Sequence, residues 1–176
     1  GLATVMGIVR GHGGFIHVES QPGAGTKFDV YLPVAEGAEA DNGIVGHNMI
    51  RLRGKRELVL VVEDEVAIQE ILRIVLENRN YTPVLAGDGA EGLLRLAENR
   101  AELRAVITDL HMPQMDGLAF VRALRRLMPE IPVIVTTGHM EEDVRVEFRA
   151  MGVTSFLEKP FTEEQLVEAV QQCLVG

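Results

Sequence analysis

Apolar residues in the second half of the chain come in short runs, and four of these runs end in polar residues that a buried core does not ordinarily select. The runs are Val59-Leu-Val-Val-Glu-Asp64, Val106-Ile-Thr-Asp109, Val133-Ile-Val-Thr-Thr137 and Ser155-Phe-Leu-Glu-Lys-Pro160. Together with a fifth apolar run they predict strands over residues 58–62, 82–86, 105–108, 133–136 and 154–157. Between them the spacing becomes helical. Ile68, Ile71, Leu72, Val75 and Leu76 share one helical face, as do Val144, Phe148 and Met151, and Leu166, Ala169, Val170, Cys173 and Leu174. Thr162 followed by Gln165 predicts a capping box at the start of the last helix. Parallel strands need long crossovers, so this alternation predicts an α/β fold with helices on both faces of a parallel sheet.

The first 35 residues follow another pattern. Residues 2–10 suit a helix, and Gly11-His-Gly-Gly14 would end it. Residues 15–19 and 27–32 are strand-like, and Pro22-Gly-Ala-Gly25 between them predicts a hairpin. One helix and one hairpin are too small to bury a core of their own. Residues 36–56 lack periodicity and carry Gly, Ala, Asn and charge, which predicts a linker. The expected division is therefore 1–35, 36–56 and a domain over 57–176.

Composition narrows the classes. A net charge of −9 argues against a general nucleic-acid or membrane-surface binder. Cys173 is the only cysteine, so no internal disulfide forms, which fits a reducing cytosol. No apolar run approaches the roughly 20 residues that span a bilayer. The expected location is cytoplasmic, with any membrane anchor of a parent protein lying upstream of Gly1.

In open parallel sheets ligands bind beyond the carboxyl ends of the strands. Glu63, Asp64, Asp109, Thr137 and Lys159 are all expected at that rim. Clustered carboxylates raise one another's pKa unless a cation compensates. Magnesium takes oxygen ligands and keeps open positions for water or phosphoryl oxygens. Lys159 would offset excess negative charge and Thr137 would supply a hydroxyl donor. The chemistry this set predicts is attack by a carboxylate on phosphorus, giving an acyl phosphate. Taken singly, each residue has a plainer role. Asp64 suits a helix N-cap, Asp109 a turn residue, Thr137 a local backbone hydrogen-bonder and Lys159 a solvated surface cation.

The order and wording of these motifs resemble the receiver domain of two-component response regulators, from Glu57 to the C-terminus. The residues that carry the resemblance are Val61-Val-Glu-Asp-Glu65, Val106-Ile-Thr-Asp-Leu-His-Met-Pro-Gln-Met-Asp-Gly117, Val135-Thr-Thr-Gly138 and Lys159-Pro-Phe161. The resemblance implies a flavodoxin-like, doubly wound five-stranded parallel sheet of order 2-1-3-4-5. It implies Asp109 as phosphoacceptor and Mg2+ as cofactor, held by Asp64 and Asp109, by Glu63 through water, and by the backbone carbonyl of His111. It implies that Thr137 and Lys159 engage the phosphoryl group, that Thr137 and Phe156 form a switch, and that the peptide before Pro160 is cis. Two departures stand out: Glu63 where many members have Asp, and Phe156 where Tyr is frequent. A phosphohistidine kinase domain is the implied donor and a histidine-phosphotransfer protein the implied acceptor.

Gly1 to Phe15, Val18-Glu-Ser-Gln-Pro-Gly-Ala-Gly-Thr-Lys-Phe28 and Val30-Tyr-Leu-Pro33 resemble the tail of a histidine-kinase catalytic domain. The resemblance implies a hybrid histidine kinase as parent. The first of these segments resembles the last glycine motif of the ATP lid, but the asparagine-bearing helix, the earlier aspartate-glycine motif and the phosphoacceptor-histidine helix are absent from this sequence, so no independent kinase activity is expected. The alternatives are an ATP-dependent kinase needing upstream sequence, a magnesium-dependent phosphohydrolase working through an aspartyl phosphate, and a receiver-like binding module that is never phosphorylated.

Overall fold

The computed structural model describes residues 15–21, 25–31 and 53–175, with Val5 and Val9 as single helical positions. The expectations for a helix over residues 2–10, a glycine stop at 11–14, turn residues 22–24 and most of the linker lie outside the described residues. The chain divides into two compact units, Gly1–Gly43 and Ile44–Gly176.

In the first unit, β1 (Phe15–Gln21) and β2 (Gly25–Tyr31) pair antiparallel, from Phe15 opposite Tyr31 to Gln21 opposite Gly25. Alternation places Ile16, Val18, Phe28 and Val30 on one face of this hairpin. The Phe15 and Tyr31 rings stack on the other, with centroids 4.6 Å apart. The expected hairpin is therefore present: β1 runs two residues past its expected end, and β2 begins two residues before its expected start and ends at Tyr31.

The second unit alternates strand and helix: β3 (Leu58–Val62), α1 (Val66–Asn78), β4 (Thr82–Ala86), α2 (Gly89–Glu98), β5 (Leu103–Asp109), α3 (Gly117–Leu127), β6 (Val133–Thr137), α4 (Glu142–Ala150), β7 (Ser155–Glu158) and α5 (Glu163–Val175). All five strands are parallel, in the order β4-β3-β5-β6-β7. Counted within this unit, that is the expected 2-1-3-4-5. Pro83 fits because β4 is an edge strand, where a missing N–H costs no ladder bond.

Strand alternation builds two cores. Leu60, Val62, Val106, Val133 and Val135 pack with Phe120, Leu124 and Phe148 on one face. Val59, Val61, Ala105, Ile107 and Ile134 pack with Leu72, Leu76, Leu166 and Val170 on the other. One member of an expected helical face needs correction: Ile71 is 60% exposed, while Leu72 and Leu76 of that face are buried as expected. The capping box is present, with Gln165 N donating to Thr162 Oγ1 and Thr162 N to Gln165 Oε1. Ile134, on the interior strand β6, is fully buried. Ile134→Val should cost about 1 kcal/mol, read as a lower urea midpoint with an unchanged slope.

Candidate functional site

The strand order reverses between β3 and β5, so their carboxyl ends open a crevice. Glu63 and Asp64 follow β3 directly, and Asp109 ends β5. Their carboxylate oxygens lie within 4.8 Å of one another. Glu63 is 1% exposed and Asp109 7% exposed, while Asp64 is the most open of the three.

Lys159, just after β7, reaches across the rim. Its Nζ donates to Glu63 Oε2 at 2.8 Å and lies 3.3 Å from Asp109 Oδ1. Its backbone is fixed as well, since Lys159 N donates to Thr137 O at 2.7 Å. The Lys159–Pro160 peptide is cis. Glu65 N donates to Glu63 Oε1, and Leu110 N to Asp109 Oδ1. The structure thus brings Glu63, Asp64, Asp109 and Lys159 into one cluster.

The other expected residues are placed differently. Asp64 is not a helix cap: Glu65 holds the N-cap position of α1, without a side-chain cap bond. Thr137 is fully buried, and its hydroxyl donates to His139 O at 2.5 Å and accepts from His139 N. Here the local backbone role is the one it plays. His111 is exposed. Phe156 packs edge-on against Phe148, ring centroids 6.1 Å apart.

Sequence reasoning missed two neighbours. The Arg145 guanidinium lies 5.1 Å from the Phe156 ring centroid. Gly117 is pressed against the Asp109 backbone so closely that a Cβ there would meet Asp109 O at 2.2 Å. The Asp116-Gly117 pair was the available signal for the second: Asp116 caps α3 by accepting from Ala119 N. Nothing in the sequence signals the first.

Electrostatics follow from this packing. Burial pushes the Glu63 carboxyl above its ordinary range; the Lys159 hydrogen bond and charge pull it back, and the Asp109 charge adds to the rise. For the Lys159 ammonium, burial is the largest influence and lowers the pKa. The hydrogen bonds and charges of Glu63 and Asp109 together outweigh it, and the pKa is raised. Lys159→Met removes both the hydrogen bond and the charge that hold the Glu63 pKa down. A carboxyl whose folded pKa is raised contributes stability only below its unfolded pKa and loses it as pH rises through the folded value. The metal-free variant should therefore fall increasingly below wild type as pH rises past the carboxylate range. The deficit should reach roughly 2 kcal/mol, less than for a fully buried pair, because Lys159 keeps 22% exposure. Thermal melting as a function of pH checks this, and parallel curves for the two proteins would refute it.

The donor set is all oxygen. An octahedral magnesium with ligands at about 2.1 Å places its donors roughly 3 to 4 Å apart, so the spacing here needs only a small closure. Three carboxylates against one lysine also leave negative charge for a cation to neutralise. The residues fit a hard divalent ion.

Residues 59–171 match the response regulator receiver domain family. This chain belongs to that family. It is 35% identical over 180 residues to the sensor kinase CckA of Brucella abortus (strain 2308), covering 99% of this chain and 19% of that protein. It is 37% identical over 116 residues to the response regulator MprA of Mycobacterium sp. (strain KMS), covering 66% of this chain and 50% of that protein. The chain therefore spans about a fifth of the first relative's length and half of the second's. Among solved structures, a receiver domain protein from Clostridium thermocellum superposes with a TM-score of 0.64 at 30% identity, over 67% of this chain and 94% of that one. Chemotaxis protein CheY4 of Vibrio cholerae gives 0.63 at 31%, over 66% and 98%. The receiver fold and a place in two-component phosphorelay signalling follow. Receiver domains take a phosphoryl group from histidine kinases and generally bind magnesium at an acidic pocket; in this receiver Glu63, Asp64 and Asp109 form a carboxylate cluster. Among the described residues no helix is long and apolar enough to cross a membrane.

Proposed function

We propose that this receiver accepts a phosphoryl group from a phosphohistidine onto Asp109. The observation that carries the reading is the Glu63–Asp64–Asp109 cluster, with Glu63 and Asp109 buried and Asp64 more open, and Lys159 reaching into it at the sheet's switch point. An Asp109 carboxylate oxygen forms the new P–O bond as the donor's P–N bond breaks. The electron pair returns to the departing imidazole, which takes a proton from solvent. Asp64 and Asp109 would hold Mg2+ through their side chains, with Glu63 acting through water and the His111 backbone carbonyl completing the protein's share. When bound, the ion neutralises phosphoryl oxygens. Lys159 pairs with the transferred group, and its short distance to Asp109 supports that role. Thr137 turns its hydroxyl from His139 towards the phosphoryl group, and Phe156 moves into the space released.

The match to a sensor kinase over 99% of this chain supports a hybrid histidine kinase as parent. In that reading residues 1–35 end the kinase's catalytic domain, 36–56 link it to the receiver, and 57–176 form the receiver. A histidine-phosphotransfer protein then takes the group onward from Asp109. The protein is treated with acetyl phosphate and magnesium and examined by intact-mass measurement. One phosphoryl adduct, not formed when a chelator is present and cleaved by hydroxylamine, is expected. Steady turnover of many phosphate esters per protein would favour the phosphohydrolase alternative, and calorimetric ATP binding would favour the kinase one.

A further inference from the structure

Phe156 lacks the hydroxyl with which a tyrosine would anchor itself, yet its ring is not held by apolar packing alone. Arg145, on α4, lies over the ring at 5.1 Å from the centroid. The guanidinium edge is occupied at the same time. Its Nη2 donates to Glu158 Oε1 at 3.2 Å, at the end of β7, and its Nε lies 3.7 Å from Glu142 Oε2, one turn back on α4. Both acids are largely exposed, at 74% and 72%, whereas the Arg145 side chain is only 22% exposed. Two screened ion pairs thus steer the guanidinium nitrogens while its carbon stays over the ring. A planar cation satisfies both demands at once, which an ammonium does less well.

We propose that Arg145 is a positioning residue that latches Phe156 in its unphosphorylated place. It bridges α4 to β7, and Phe156 cannot leave its seat against Phe148 without losing the cation's face. Phosphorylation must therefore break the latch, and Arg145 sets how far the resting protein leans towards the activated arrangement. The proposal rests on the phosphorylation switch proposed above, but not on Arg145 touching the phosphoryl group. A latch of this kind biases a two-state equilibrium by its differential contacts in the two states.

The test uses the whole chain with 13C-labelled phenylalanine, the Phe156 ring signal being assigned from a Phe156→Leu variant. Beryllofluoride with magnesium should move that signal in wild type. Arg145→Met without the mimic should move it part-way in the same direction, raising the activated population about tenfold. Arg145→Lys, which keeps the charge and loses the planar face, should fall between. Acyl-phosphate formation at Asp109 should persist in both variants, so loss of the latch and loss of the acceptor chemistry are separable. A wild-type ring signal unmoved by beryllofluoride would overturn the latch together with the switch it serves. A signal that moves in wild type but stays at its resting position in Arg145→Met would overturn the latch alone. Thermal melting identifies any variant that fails to fold, and Glu158→Gln then serves as the second probe: it should loosen the ring in the same direction to a smaller extent, and a ring left at its resting position would overturn the latch.

Discussion

Asp109→Asn should abolish the acyl phosphate entirely while leaving a folded protein. The amide offers no anionic oxygen to attack phosphorus, so no slower version of the same reaction remains. Its carbonyl can still accept the Leu110 N–H that Asp109 Oδ1 now takes at 2.9 Å, so the local backbone keeps its partner. Lys159 loses one of the two carboxylates that raise its pKa and keeps Glu63. Glu63 loses a neighbouring negative charge, and its pKa should move down towards the ordinary carboxylate range. Magnesium affinity should fall at least about tenfold, or ~1.4 kcal/mol, with one fewer oxygen donor. Intact mass after acetyl phosphate treatment measures the first effect and calorimetric titration with magnesium the last. An adduct of undiminished yield in the variant would place the acceptor on another residue.

The fold was legible because both faces of the sheet are buried, so every strand is a short apolar run bounded by breaks. The acids were legible for the same reason: a carboxylate that closes such a run, as Asp109 closes β5, has nowhere to lie but the carboxyl edge. Residues 66–78 show where the pattern fails. Ile68, Ile71, Leu72, Ile74, Val75 and Leu76 are apolar around most of the helix, and periodicity alone does not choose which arc meets the sheet. Packing selects Leu72 and Leu76, leaving Ile71 and Ile74 exposed at 60% and 44%. The Thr137 hydroxyl illustrates another limit. Strand position puts it at the rim, but its partner is the His139 backbone two residues on, a choice set by loop geometry. The Arg145–Phe156 contact joins a helix to the next strand through a cation and a ring, and no sequence spacing encodes it.

Gly117→Ala should be the most damaging small substitution near the site. The new Cβ would lie 2.2 Å from the Asp109 carbonyl oxygen and 2.9 Å from Leu110 Cα, both backbone atoms with no side-chain freedom to yield. Gly117 N also donates to Leu110 O at 2.9 Å, so the two segments cannot separate without losing that bond. Overpacking of this kind typically costs 1–3 kcal/mol, and a rigid backbone neighbour puts the expectation near the top, at about 3 kcal/mol. The strain falls on the residue that carries the proposed acceptor. The surviving folded fraction should therefore form acyl phosphate at least about tenfold more slowly, since small misplacements of a reacting group are costly. Gly138→Ala is the matched control: it sits just beyond Thr137, yet an added Cβ there meets nothing within 4 Å. That variant should stay within about 0.5 kcal/mol of wild type. Urea midpoints and acetyl phosphate kinetics on the pair separate local crowding from general sensitivity of the loops. Equal stability and equal rates for the two alanine variants would show that the Asp109 backbone gives way freely and that Gly117 does not hold it.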